Sequence, residues 1–442
     1  MKLPISKLLL FMCMGVSLSQ VQAQKKTSTP SVIILKTEED GQKLEQAATE
    51  KLTRVLSSLE SLEALKSVEC IAAVSSAQVL ALADPGKRSL EQIGDQPPIR
   101  VEVFSDPQQT FSSTINKKIS RSFKVNSADK LSIDNQFGEV EVQTWSKNEI
   151  AVDISLQASA ATEATAQAIM DHINIRISEG GNQIAFVTEL TPMQIRSNSQ
   201  KSFQINYVVR MPKGNPLRVS NKYGAVQLPD LDGPVDLTVK YGKFTTGNLS
   251  HRQNRIEVQY SGAQCVLGYM RGGDLNVKYS SVHLNGAEAI QATTAYSKVA
   301  IDKIEALNIE SKYDQPVRIG SAGQISGSGG YSSFEIGSLR ESVGMQMKYS
   351  KFEVGTIAPN FKKIELNGGY TRIELGFADK SSFNFDLDTQ YSSVKMNQDL
   401  ADFTFREVRN TSATYRGTYG KSSPKGLVNI TSKYGPILFT QQ

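Results

Sequence analysis

From residue 223 onward one short phrase recurs: a tyrosine, a small residue after it, and apolar residues three and five positions on. It reads KYGAVQL, KYGKFTT, QYSGAQC, KYSSVHL, AYSKVAI, GYSSFEI, KYSKFEV, GYTRIEL, QYSSVKM and KYGPILF. The tyrosines are Tyr223, Tyr241, Tyr260, Tyr279, Tyr296, Tyr313, Tyr331, Tyr349, Tyr370, Tyr391 and Tyr434. Most intervals between them are 17 to 21 residues. A fixed short period means one supersecondary unit stacked on copies of itself. A chain of this kind is a rod with a repetitive surface, so its function is to be sought on a surface more than in a pocket.

Alternation within the repeat describes the unit. Residues two and four before the tyrosine are apolar, as in Leu237 and Val239, or Leu275 and Val277. Residues three and five after it are apolar too, as in Val226 and Leu228, or Phe352 and Val354. Successive strand side chains face opposite ways, and these two sets have opposite parity. A bend is therefore expected just after the tyrosine, at the Gly or Ser, where glycine tolerates unusual backbone angles. Parallel pairing at about 4.8 Å per rung makes eleven rungs a rod of roughly 50 Å. The usual handedness of parallel connections makes the coil right-handed. The expected fold class is mainly β: a single-stranded parallel β-helix with an α+β N-terminal insert and a separate N-terminal helical segment.

The remaining chain divides by composition. Lys2 and Lys7, the apolar run Leu8 to Leu18 and Val21-Gln22-Ala23 read as a signal peptide over 1–23, which predicts an exported protein. The region 24–107 is a polar leader, an amphipathic helical segment over about 40–82 and a linker containing Pro97-Pro98. The α+β region 108–216 holds KLSIDNQFGEVEVQTW, the repeat phrase with Phe137 in the tyrosine place. Thr162 to Ile177 reads as a helix with Ala166, Ile169, Met170, Ile173 and Ile177 on one face. The array itself spans 217–442. After signal cleavage only Cys70 and Cys265 remain, too few for a disulfide framework. No second apolar run is long enough to cross a membrane. A net charge of +5 does not argue for nucleic acid.

The phrases IDNQFGEVEVQTW and RMPKGNPLRVSNKYGAVQL, the helix-bearing insert between them and the tyrosine-marked rungs, in that order, resemble a bacterial adhesin-like family of the head-GIN, auto-transporter-adhesin type. The resemblance covers about 120–442 and implies a β-solenoid exported to the envelope.

Candidate sites are few. Cleavage of a glycosidic bond needs two facing carboxylates, and polysaccharide lyases need a base with clustered acids for Ca²⁺. Here Asp386 with Asp388 and Asp230 with Asp232 are the nearest approximations, and His172, His251 and His283 are scattered. No metal or nucleotide motif is present, so no catalytic residue and no cofactor is expected. The Gly-rich stretch 320–330 reads as turn and thin strand. The strongest surface signal is a lysine before the tyrosine: Lys222, Lys240, Lys278, Lys312, Lys348 and Lys433. It reads either as a contact row for anionic polysaccharide or lipopolysaccharide, or as a solvated ladder relieved by Glu335, Glu353 and Glu374. The tyrosines read as a structural ladder at the corner, with sugar-stacking rings the alternative. The last rung, Gly426 to Thr440, must be capped by 400–424 or be a docking edge. The expected function is a non-catalytic adhesin-like or envelope scaffold module. The alternatives are an envelope signalling or stress accessory binding a protein partner, and a carbohydrate-active enzyme.

Overall fold

A computed structural model describes residues 33–34, 102–103, 112–192 and 201–441. The signal segment, the amphipathic stretch over 40–82 and Cys70 lie outside the described residues. Ile33–Ile34 and Glu102–Val103 pair antiparallel within one compact unit, 1–111. All that follows concerns the other unit, 112–442. It is mainly β: its described strands form one large open sheet, not a closed barrel.

Successive repeats pair in parallel, residue for residue. Leu217–Lys222 lies on Val235–Lys240, which lies on Asn254–Gln259. Further on, Gln264–Lys278, Ser281–Ala295, Lys298–Lys312, Val317–Gly330 and Ser333–Lys348 pair along both halves of the repeat. Register thus stacks like on like. Val226, Phe244, Val282, Val299, Val317, Phe334 and Phe352 are buried together, as are Leu237, Ile256, Leu275 and Ile309. The Gly-rich stretch 320–330 is continuous strand, not turn, because its residues hold register with 303–312 on one side and 338–348 on the other.

The corner sits on the tyrosine itself, not on the Gly or Ser after it. All eleven repeat tyrosines have φ between 50° and 58°, and Phe137 has φ 62°. Aromatic residues rarely occupy this left-handed region, at a cost of about 1–3 kcal/mol each. Each backbone N–H is satisfied there. Tyr279 donates to the Ala295 carbonyl at 3.0 Å, Tyr313 to Gly330 at 2.9 Å and Tyr434 to Gln390 at 2.9 Å. The left-handed residue flips strand parity, which is why the apolar sets before and after it differ in phase. The next residue is turned inward. Ser280, Ser297 and Ser332 are buried, and each hydroxyl bonds the carbonyl two residues back at 2.7–3.0 Å.

In one rung that inward place holds Asp314, which is fully buried. Its carboxylate accepts from the Ser297 N–H at 2.8 Å and from the Thr294 and Ser311 hydroxyls at 2.5 and 2.6 Å. Burial nevertheless pushes its pKa above the ordinary carboxylate range, the hydrogen bonds opposing. The folded state therefore favours the neutral acid. Its contribution to stability is complete below the ordinary Asp value and is lost as pH rises through the raised folded value. Asp314→Asn keeps the acceptor oxygen, and hydroxyls can turn to meet the amide. Chemical denaturation at a series of pH values should show the native chain losing stability relative to Asp314→Asn as pH rises above the ordinary Asp value. At the upper end the variant should be at least as stable as the native chain.

Each end is closed by strands that pair antiparallel with one another. The first rung, Lys130–Gln136 and Val140–Trp145, carries Leu217–Leu228 on one side. On the other side lie Gln183–Leu190 and Lys201–Pro212. Ser113–Lys124 and Glu149–Ala160 extend this cap, and Lys117, Lys118, Arg121 and Lys124 guard its edge with charge. The insert helix is shorter than the sequence pattern suggests. It runs Glu163–Asp171, capped by Thr162 and burying Ala166, Ile169 and Met170. Ile173 and Ile177 belong instead to the strand Ile173–Gly180, paired with Gln183–Leu190. Their spacing of four fits either period, and strand pairing decides between them.

The C-terminal rung is not the end of the stack. Gly426–Lys433 lies between Lys363–Gly369 and Phe383–Gln390, parallel to both. Ile437–Gln441 likewise lies between Arg372–Phe377 and Val394–Lys395. The terminal rung is therefore 383–395, and the hairpin Ala401–Val408 with Ser412–Tyr419 pairs against its outer edge. The segment 400–424 does fold over an open edge, but the edge belongs to the preceding rung in sequence.

Candidate functional site

The corner tyrosines form one column of stacked rings. Centroids are 4.7–5.1 Å apart and planes within 2–12° from Tyr223 to Tyr370, then Tyr434 and Tyr391. Phe137 continues the column below Tyr223 at 4.8 Å, and Phe203 tilts against Phe137 at 5.0 Å. From Tyr260 onward the rings are 40–54% exposed, so they stand at the surface and do not point into the core. Each interior ring has a neighbour on both faces, which leaves only edges and hydroxyls to solvent. A sugar cannot stack face-on against these rings. Burial and the flanking phenols raise the pKa of Tyr241 and of Tyr296.

The residue before each tyrosine forms a second, adjoining column. Its order in space is Gln136, Lys222, Lys240, Gln259, Lys278, Ala295, Lys312, Gly330, Lys348, Gly369, Lys433 and Gln390. All six lysines are exposed or half-buried. Among the described residues none of these six lysines has an ion-pair partner, and neither do Lys243 and Lys298, whereas most of the arginines do. The Lys433 ammonium lies 5.9 Å from the Tyr434 ring.

The acids expected to relieve this row do not reach it. Glu335 binds Arg318 at 2.9 Å, Glu353 binds Lys351 at 2.6 Å and Glu374 binds Arg372. All lie on the strand after the tyrosine. Two residues before the lysines, the neighbouring outward column is mostly Ser, Thr, Asn and Gln. Its acids within the array are Glu257, Glu310 and Asp388. Glu257 is engaged by Gln259 at 2.6 Å and Asp388 by Thr414 at 2.8 Å.

The other candidates are structurally occupied. Asp386 pairs with Arg416 at 3.0 Å, and Asp232 with Lys213 at 3.2 Å. The Asp230 carboxylate accepts from the Asn248 N–H at 2.7 Å. His283 meets Asp302 at 3.0 Å, His172 meets Thr191 at 2.7 Å, and the His251 ring accepts from the Gln253 N–H at 3.1 Å. The structure brings none of these together. Cys265 is a free thiol in the apolar column with Phe244 and Val282, where burial raises its pKa. A shallow groove of about 570 Å³ crosses the rungs elsewhere, edged by Gln291, Asn308 and Ser326. Among the described residues no group of three metal-binding side chains occurs, and no helix is long and apolar enough to cross a membrane.

No family model and no curated protein matches the chain. Among solved structures it is similar to a "putative adhesin" from Parabacteroides merdae, at 10% identity, covering 59% of this chain and 92% of that one with a TM-score of 0.26. It is also similar to a "putative lipid binding protein" from Parabacteroides distasonis, at 9% identity, covering 73% and 96% with a TM-score of 0.25. A "putative cell adhesion protein" from Clostridium sporogenes is 11% identical over 74% of this chain and 100% of that one, with a TM-score of 0.16.

Proposed function

We propose that the protein is a non-catalytic, exported, right-handed β-solenoid that works as an adhesin-like or envelope scaffold module. It holds a linear anionic polysaccharide along the lysine column. The observation that carries this reading is the column itself: six lysines in one register column, none of them within ion-pair distance of an acid among the described residues, beside a continuous stack of surface tyrosine rings. Unpaired ammonium groups on a rigid sheet lose little on binding and are free to meet anions, while tyrosine edges offer hydrogen bonds to sugar hydroxyls. The column is one residue wide, which suits a strand-like ligand more than a flat surface. Contacts that are each weak add along a rigid track.

The test is a triple variant, Lys240→Glu, Lys278→Glu and Lys312→Glu. These lysines are on the surface and have no partner to lose, so thermal stability should stay within about 1 kcal/mol. Binding to acidic polysaccharide, followed by surface-immobilised titration at low salt, should fall by about tenfold or more. Binding by the native chain should itself weaken steeply with added salt. Equal binding by native and triple-variant chains would remove the lysine column from the account.

A further inference from the structure

We propose that the lysine column selects its polymer by charge spacing, favouring an acidic polysaccharide with one negative group per disaccharide over a densely charged chain. This rests on the reading of the column as the contact surface. From Lys240 to Lys433 the lysines occupy every second rung, with Gln259, Ala295, Gly330 and Gly369 between them. Rungs are about 4.8 Å apart, so the ammonium anchors repeat about every 10 Å. A single nucleic-acid strand, by comparison, carries a phosphate about every 3.4 Å.

The alternation is a feature of the folded molecule more than of the chain order. Read along the sequence, the last three members are Gly369, Gln390 and Lys433, which breaks the pattern. Insertion of the C-terminal rung before rung 383–395 places Lys433 directly after Gly369 and restores it. Space does not force the neutral places. A Cβ on Gly330 would meet nothing within 4 Å, and one on Gly369 would meet only the Lys348 Cγ at 3.8 Å and a carbonyl at 4.0 Å. Repulsion does not force them either. Lys222 and Lys240 sit on adjacent rungs, and two exposed charges that close repel by only about 1 kcal/mol in water. The neutral rungs leave an uncharged gap beside Tyr260, Tyr296, Tyr331 and Tyr370, where the uncharged sugar of each disaccharide would lie against phenol edges.

The experiment compares the full chain with a filled-column variant carrying Gln259→Lys, Ala295→Lys and Gly330→Lys. A second variant carries only Gln259→Lys and Ala295→Lys, which leaves the backbone glycine in place. The probes are hyaluronan (one carboxylate per disaccharide), polygalacturonate (one per sugar) and polyphosphate, at one fixed ionic strength. The native chain should prefer hyaluronan to polygalacturonate by about tenfold. Filling the column should reverse that order in both variants. A native preference that simply rises with charge density, or an order unmoved by filling, overturns the spacing rule while leaving the column as a contact surface. If none of the three probes binds, the spacing rule and the polysaccharide reading fall together.

Discussion

Deleting residues 426–442 is expected to unfold the C-terminal rungs and to leave the N-terminal ones intact. The deleted strands are an interior layer, hydrogen-bonded on both edges to 363–377 and 383–395. Their loss removes the buried side chains Val428, Ile430, Ile437 and Phe439 together. By analogy with large-to-small core changes, each contributes about 2–5 kcal/mol. The sum is of the order of a whole domain's net stability. It also strands the capping hairpin, which is held through 383–390. Because each rung rests mainly on its neighbours, the damage should stop within a few rungs. Amide exchange should therefore become fast over about 360–420 and stay slow over 223–300. A synthetic peptide of residues 426–442 added to the truncated chain should restore protection by filling the open layer. Slow exchange throughout the truncated chain would show that the two flanking rungs can close on each other.

Gly224→Ala is expected to cost far more than an ordinary surface substitution. Ser fills the inward place in later rungs, but at Gly224 the chain runs too close. A Cβ there would stand 1.8 Å from the Gly138 carbonyl oxygen, and on Gly242 it would stand 2.0 Å from that of Gly224. Both obstacles are backbone atoms fixed by the ladder, so no side chain can rotate away. Strain of this kind in the tight packing of a sheet belongs to the rare class above about 4 kcal/mol. Gly330→Ala serves as the control. Its Cβ meets open space, and it should change stability by no more than about 0.5 kcal/mol. Urea denaturation of the pair should show a large drop in midpoint for the first and almost none for the second. Equal behaviour would mean that the rungs can separate locally at the Gly224 corner.

Much of the architecture is legible in the residues because the period is short and the core columns repeat. Alternation around each tyrosine places Leu237, Val239, Val226 and Leu228 inside, where the structure holds them. The corner is harder to read. Sequence logic assigns odd backbone angles to Gly, whereas here an aromatic residue adopts positive φ and stacking with its copies accompanies it. The length of the insert helix is ambiguous because Ile173 and Ile177 fit both periods. The inserted C-terminal rung is invisible, since consecutive elements are normally neighbours. The same insertion hides the alternation of the lysine column, which appears only once Lys433 is placed beside Gly369. That the acids Glu335, Glu353 and Glu374 serve other cations depends on face, and face is decided at the tyrosine.

Residue-resolved amine labelling reads occupancy of the lysine column one side chain at a time. The full chain is reductively methylated with and without saturating acidic polysaccharide, and each lysine is quantified by mass spectrometry. Lys222, Lys240, Lys278, Lys312, Lys348 and Lys433 should lose reactivity together when the polymer is present. Lys362 and Lys363, exposed but paired with Glu341 and Glu365 at 2.7 and 2.6 Å on other parts of the rungs, should react as before. Protection spread over both groups, or confined to the second, would contradict the assignment of the lysine column as the binding track.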